Sequence, residues 1–201
     1  MIVRYAMGLA CAAALAACSS TPIRYHTLVP LELATVTPLP SAPPLIELVS
    51  VTVSPEVDVP QIVTRSGDTA IVLHDSDRWS APLSDEIHAA LDDALLHQYG
   101  VQDLPPGGPA DSVGARIGVR VERFDGVIGQ HADLVVDWWV VPHGVGRARP
   151  LSCQSLIRKT AGPGLDDLIR ADQMAIQELA KEIVEVVKAS AAGMVPAACH
   201  S

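Results

Sequence analysis

The sequence predicts an α/β sandwich: a three-layer fold with a mixed, largely antiparallel sheet and two main helices. Ile117, Val119 and Val121 alternate with Arg116, Arg120 and Glu122, the period of a strand that buries one face. Two other stretches carry their apolar residues at helical spacing. Trp138 and Trp139 are adjacent, so a strand there points one indole to each face of its sheet. Cover on both faces, hence three layers, is the expectation.

The globular part begins near Leu45. Ile46, Leu48, Val51 and Val53 lie in a β-branched run closed by Pro55, as in a buried strand with a proline stop. Gln61, Ile62, Val63, Thr64 and Arg65 form a second run, Ser66, Gly67 and Asp68 a turn, and Ala70 to His74 the returning strand of a hairpin. The polar stretch from Asp75 to Ser80 then leads into a helix with Pro82 near its first turn, where a missing N–H costs least. Leu83, Ile87, Leu91 and Leu95 recur every four residues with Ala90 and Ala94 beside them, while Asp85, Glu86, Asp92 and Asp93 lie off that stripe. Gly100 stops the helix and residues 105–109 form a loop.

The alternating strand from Val113 turns back near Gly129 and Gln130. Leu134, Val136, Trp138 and Val140 then face one way, with Asp133, Val135, Asp137 and Trp139 opposite. A third strand at Leu151 to Thr160 completes an antiparallel meander. The last and longest helix runs from about Leu165 to Ala191, opened by Asp166 and Asp167, which suit the helix dipole. Its stripe is Leu165, Leu168/Ile169, Ala175/Ile176, Leu179/Ala180, Ile183 and Val187, and a short tail beyond Gly193 carries Cys199.

The first residues set location. Arg4 precedes a short apolar run ending in Leu15-Ala16-Ala17-Cys18. That run is too short to span a bilayer and reads as a secretory signal, residues 1–17. Its ending resembles the lipobox of bacterial lipoproteins, which implies cleavage before Cys18 and acylation of that cysteine. Each buried methylene adds about 0.8 kcal/mol, so several acyl chains on Cys18 would hold permanently. Ser19 follows, where an aspartate commonly retains such proteins at the inner membrane, and this points to the periplasmic face of the outer membrane. Residues 18–44 then form a lipidated, proline-rich tether, with Pro22, Pro30, Pro38, Pro40, Pro43 and Pro44, extended at about 3.1 Å per residue. Within it Tyr25, His26, Thr27 and Leu28 have strand propensity and can dock as an edge strand. Residues 45–201 are the domain.

Removing residues 1–17 from the 201 takes Arg4 away and leaves 13 basic against 23 acidic side chains. This balance argues against nucleic acid as a partner and against adhesion to anionic lipid, so the membrane anchor must be covalent. Beyond the signal no segment is long and apolar enough to span. In an oxidising compartment the two remaining cysteines, Cys153 and Cys199, read first as a disulfide, the alternative being two free thiols.

Catalytic signals are wanting. The seven histidines show no metal-ligand spacing and the cysteines no zinc pattern. There is no Gly-x-Ser-x-Gly and no P-loop, and Gly144-Val145-Gly146 stands without a strand-to-helix context. Asp92 and Asp93, adjacent on a helix, diverge and form a solvated face. Arg78 and Trp79, at the helix entrance, are candidate contacts for a partner. A structural role, the indole packed and the arginine pairing with carboxylates, is the alternative.

Several of these residues recur in family order. A lipobox is followed by Tyr-x-x-Leu (Tyr25, Leu28), by a proline with Gln-Ile-Val-x-Arg (Pro60, Gln61, Ile62, Val63, Arg65), and by Arg-Trp-x-x-Pro-Leu (Arg78, Trp79, Pro82, Leu83). A Val-x-Val-x-x-Phe-Asp comes last (Val119, Val121, Phe124, Asp125). Over nearly the whole mature chain this resembles the PqiC/YmbA family of ABC-type transport auxiliary lipoproteins, encoded beside MCE-type lipid transporters. Residues 55–59 depart from it, and the extension bearing Cys199 has no counterpart in the pattern. The resemblance implies a three-layer α/β fold and a multimeric, non-catalytic lipoprotein at the outer-membrane end of a lipid-transport assembly, its partner an MCE-domain protein. It implies no cofactor beyond the lipid on Cys18. The competing reading is a periplasmic small-molecule or lipid-binding protein, or a hydrolase with an unrecognised pocket.

Overall fold

The computed structural model describes residues 22–31, 45–104, 114–142, 150–196 and 199–200. Cys18, the signal, most of the tether, the loop at residues 105–109 and the glycines 144 and 146 lie outside them. The elements are β1 (Arg24–His26), β2 (Leu45–Val53), β3 (Gln61–Ser66), β4 (Ala70–Trp79), α1 (Leu83–Tyr99) and β5 (Gln102–Asp103), followed by β6 (Ala115–Val127), β7 (His131–Pro142), β8 (Leu151–Thr160), α2 (Leu165–Ala191) and β9 (Cys199–His200).

The strands form two sheets. The larger has the order β5-β2-β6-β7-β8-β9 and the smaller β1-β4-β3. From β6 through β9 every pairing is antiparallel, as the meander requires, while β2 lies parallel to both β5 and β6. That parallel pair needs a long crossover, and β3, β4 and α1 supply it. The α/β sandwich with mixed sheets and two helices is therefore observed, with its strands divided between two sheets.

Both helices pack on one face of the large sheet. The apolar positions of β6 and β7, Ile117, Val119, Val121, Leu134, Val136, Trp138 and Val140, are buried in one cluster with Leu83, Ile87, Leu91 and Leu95 of α1 and Ile176, Leu179 and Ile183 of α2. Gly100, at φ 62°, ends α1 in the left-handed conformation, and its N–H bonds Leu96 O at 3.0 Å. Gly67, at φ 73°, serves the β3–β4 turn in the same way. The Trp138 indole points inward and donates to Ser155 Oγ at 2.9 Å, and Ser155 in turn bonds Glu182 of α2. Trp139 points to the opposite face and is 38% exposed. No helix among the described residues covers it. The third packed element is instead the small sheet, which meets the large one where β3 contacts β6.

One boundary differs from the sequence reading. The stretch from Asp75 to Trp79, expected as a lead-in to the helix, is the second half of β4. Its polar residues are tolerated in a strand because β1 docks alongside in parallel, pairing Arg24 with Asp77 and His26 with Trp79. Arg24 Nη2 lies 2.8 Å from Asp77 Oδ1 and His26 Nε2 is also 2.8 Å from it. Edge docking of the Tyr25 segment is thus seen, over Arg24–His26.

Candidate docking surface

The dispersed motif residues converge at the seam between the sheets. Trp79, at the end of β4, is 5% exposed, and its ring lies 6.1 Å from that of Phe124 on β6, tilted by 55°. Ile62, Val63 and Leu83 close around the same pair. The apolar contact is reinforced across the seam by Arg65 of β3, whose Nε donates to Asp125 Oδ2 at 2.6 Å. Arg123 Nε donates to the other oxygen of Asp125 at 2.7 Å and Arg123 Nη2 reaches Asp133 at 3.2 Å. Arg158 then holds Asp133 with two hydrogen bonds of 2.6 and 2.7 Å. Burial alone would raise the Asp133 carboxyl, but Arg158 and Arg123 outweigh it and hold it below the ordinary value. Asp77 behaves likewise: burial opposes its ionisation, and the bonds from Arg24 and His26 win.

Leu28, the last residue of the Tyr-x-x-Leu element, is fully buried. Its backbone N–H donates to Glu86 Oε2 of α1 at 2.9 Å, the Thr27 hydroxyl donates to the same oxygen at 2.8 Å, and the Ser80 hydroxyl bonds Oε1. A buried carboxylate at the start of α1 thereby clamps the chain just after β1, which is where the tether meets the domain.

This geometry divides the candidate pair. Trp79 is a core residue, the packed alternative of the two readings, because its position on β4 turns the ring towards Phe124. Arg78, one residue earlier, points the other way and is half-buried beside Tyr25 and Gln61, its register partners. Among the described residues its Nε is the buried side-chain polar atom left without a hydrogen-bond partner. An orphaned guanidinium N–H is costly unless something binds it, and guanidinium groups suit carboxylates in bidentate geometry. Beside it Tyr25 is 65% exposed, and further along the same strand Ile71, Val72 and Leu73, on the β4 arm of the hairpin, are all more than two-fifths exposed. The sequence reading places this hairpin arm as a returning strand but not its exposure, which an apolar triplet gives no sign of. The candidate docking surface is therefore Arg78 with Tyr25 and that arm.

No group of three or more metal-ligating side chains occurs among the described residues, and no described helix is long and apolar enough to cross a membrane. Cys153 and Cys199 are joined in a disulfide, which fixes β9 to β8.

Asp172 of α2 points into the seam beside Trp79 and Phe124. Burial pushes its carboxyl well above the ordinary value, and the nearby charge of Asp125 adds to the shift. The folded protein must then hold a proton that the unfolded chain releases above about pH 4, so this group's contribution to stability falls as pH rises from there through its folded pKa. Asp172→Asn should raise stability at pH 7, because the amide needs no proton to be buried. Denaturant midpoints at pH 4.5 and 7 check this: the gain over wild type should be larger at pH 7, and equal gains would show that Asp172 is ionised in the fold.

The fold recurs in solved structures of low identity. An uncharacterized protein superposes with a TM-score of 0.66 at 16% identity, covering 82% of this chain and 98% of its own. A Xanthomonas campestris protein of the DUF330 family superposes with a TM-score of 0.60 at 14% identity, covering 86% of this chain and 98% of its own. These likenesses show the fold. Among curated proteins none matches the chain. The family model for the ABC-type transport auxiliary lipoprotein component matches residues 26–184, a span that begins in β1 and takes in Trp79, Phe124, Arg65 and Asp125. The chain therefore belongs to the ABC-type transport auxiliary lipoprotein family.

Proposed function

We propose that this protein is the outer-membrane end of an MCE/ABC-type lipid transporter. Triacylated Cys18 anchors it to the periplasmic face of that membrane, the domain docks the tunnel of an MCE-domain protein, and the assembly supports envelope integrity. It acts by binding, as a homo-oligomer, and carries out no reaction itself. The observation that carries this reading is the family match across nearly the whole described domain. The lipobox ending at Cys18 supports the anchor, and the acidic charge of the chain makes a covalent attachment necessary. The clamp of Glu86 on Leu28 supports the geometry, since it fastens the chain to the domain soon after Cys18. Arg78, which makes no described ion pair and is only half-buried, is the proposed contact for an acidic group of the partner.

Affinity capture from solubilised envelopes tests this with three forms of the full chain. The wild type should fractionate with the outer membrane and bring an MCE-domain protein with it. Cys18→Ala should leave the outer-membrane fraction. Arg78→Ala should stay there, keep its melting temperature and capture several-fold less partner. Absence of any MCE-domain protein from the wild-type capture would remove the transporter assignment, and a Cys18→Ala protein still membrane-bound would remove the lipid anchor.

A further inference from the structure

On the face of the large sheet turned away from the helices, Trp139 lies across β6. A Cβ built on Gly118, its register partner, would sit 2.2 Å from the indole Cε2, so the ring occupies the space that the missing side chain leaves. It stays 38% exposed. The indole floors a cavity of about 510 Å³ whose walls are Ser50, Thr52, Arg120, Asp137, Gln154 and His200. Two of these are already ordered against each other, Gln154 Nε2 donating to Asp137 Oδ1 at 2.8 Å.

We propose that this cavity binds a pyranose sugar within an oligosaccharide strand of the cell envelope. A pyranose ring has one face of C–H groups and a rim of hydroxyls. The flat indole matches the first, and a rim of carboxylate, amide, guanidinium and hydroxyl groups, offering both donors and acceptors, matches the second. Other ligand chemistries fit less well. An acyl chain needs an apolar trough, and here a single aromatic is ringed by polar groups. A phosphate polymer needs a basic track, and Arg120 stands against Asp137 in a chain of net charge −9. An extended peptide adds at a sheet edge, whereas β6 and β7 are flanked by paired strands on both sides.

The site has one wall from outside the family's shared body. The family model stops at residue 184, and His200 reaches the cavity only because β9 pairs with β8 and is tied to it by the Cys153–Cys199 disulfide. The extension thereby gains a role that the transport fold does not need.

The test is titration of the purified full chain in detergent with the tetramer of N-acetylglucosamine, cellotetraose, the N-acetylglucosamine monomer and phosphatidylglycerol vesicles. Tryptophan emission is selective, because Trp79 and Trp138 are buried and Trp139 is open. At least one tetrasaccharide should shift the emission saturably with a Kd of about 0.1–1 mM. By calorimetry, Trp139→Ala and, separately, Gln154→Ala on the exposed rim should weaken that binding by about tenfold or more, which is about 1.4 kcal/mol. No saturable response to any saccharide, undiminished binding by both variants, or a response to vesicles alone would overturn the proposal. Monomer binding as tight as tetramer binding would overturn the strand as the source.

Discussion

Replacing Trp79 with alanine should cost about 3–5 kcal/mol of stability, the usual loss for a large aromatic removed from a core. In a chain of this size that lowers the melting temperature by about 6–20 °C. The loss has three sources at one place. The ring's contact with Phe124 disappears, and a cavity opens among Ile62, Val63 and Leu83. The side chain of Asp172, whose pKa burial raises, loses a packing neighbour. Water entering that cavity would hydrate Asp172 and recover some of the cost, so the double variant Trp79→Ala, Asp172→Asn should fall short of the sum of the single effects. Thermal and denaturant melts of the four proteins give the comparison. A Trp79→Ala protein as stable as the wild type would mean that the seam is not part of the cooperative core.

This expectation also changes how a loss of partner capture is read. Arg78 and Trp79 are neighbours in sequence, but strand alternation sends them to opposite sides. A variant lacking both would lose capture simply by losing the fold, whereas Arg78→Ala removes a half-exposed side chain that makes no described ion pair. Several positions of the motifs that carry the resemblance, Ile62, Val63, Arg65, Trp79, Leu83, Phe124 and Asp125, meet at the seam. The need to join two sheets accounts for residues of these types there.

Much of the large sheet was legible because its patterning is local. Strict alternation in β6 and β7 and the stripe of α2 leave little choice of element, and the helix runs from Leu165 to Ala191 as its periodicity predicts. What escaped was set by distant residues. The second half of β4 contains Asp75, Ser76, Asp77 and Arg78, a run that reads as loop; it is a strand because Arg24 and His26, more than fifty positions away, neutralise Asp77. β5 is two residues long and has no periodicity to detect. The division into two sheets depends on β2 pairing in parallel with β6 across the whole β3–β4–α1 crossover, and no local pattern encodes that partner. The tryptophan pair located both faces of the sheet correctly, but Trp139 is accommodated by a glycine opposite it and by its polar rim, where a covering layer was expected.

The disulfide should contribute up to about 4 kcal/mol, the loop-closure entropy removed from an unfolded chain by a link across 46 positions. In melting temperature this is about 8–16 °C. The loop it closes contains nearly all of β8 and the whole of α2, so in the oxidised unfolded chain these two elements stay near each other, and that restriction is lost on reduction. The folded side responds differently. β9 has only two register pairs with β8, too few to hold a strand unaided, so the reduced tail should detach while the sheet and helices remain packed. Denaturant unfolding of the wild type with and without reductant, beside Cys153→Ser, Cys199→Ser, should show the same lowered midpoint for the reduced protein and the double variant. Hydrogen exchange should become fast at Cys199 and unchanged in β6 and β7. Free thiols in the unreduced, denatured protein, or a midpoint indifferent to reductant, would show that the link does not stabilise the domain.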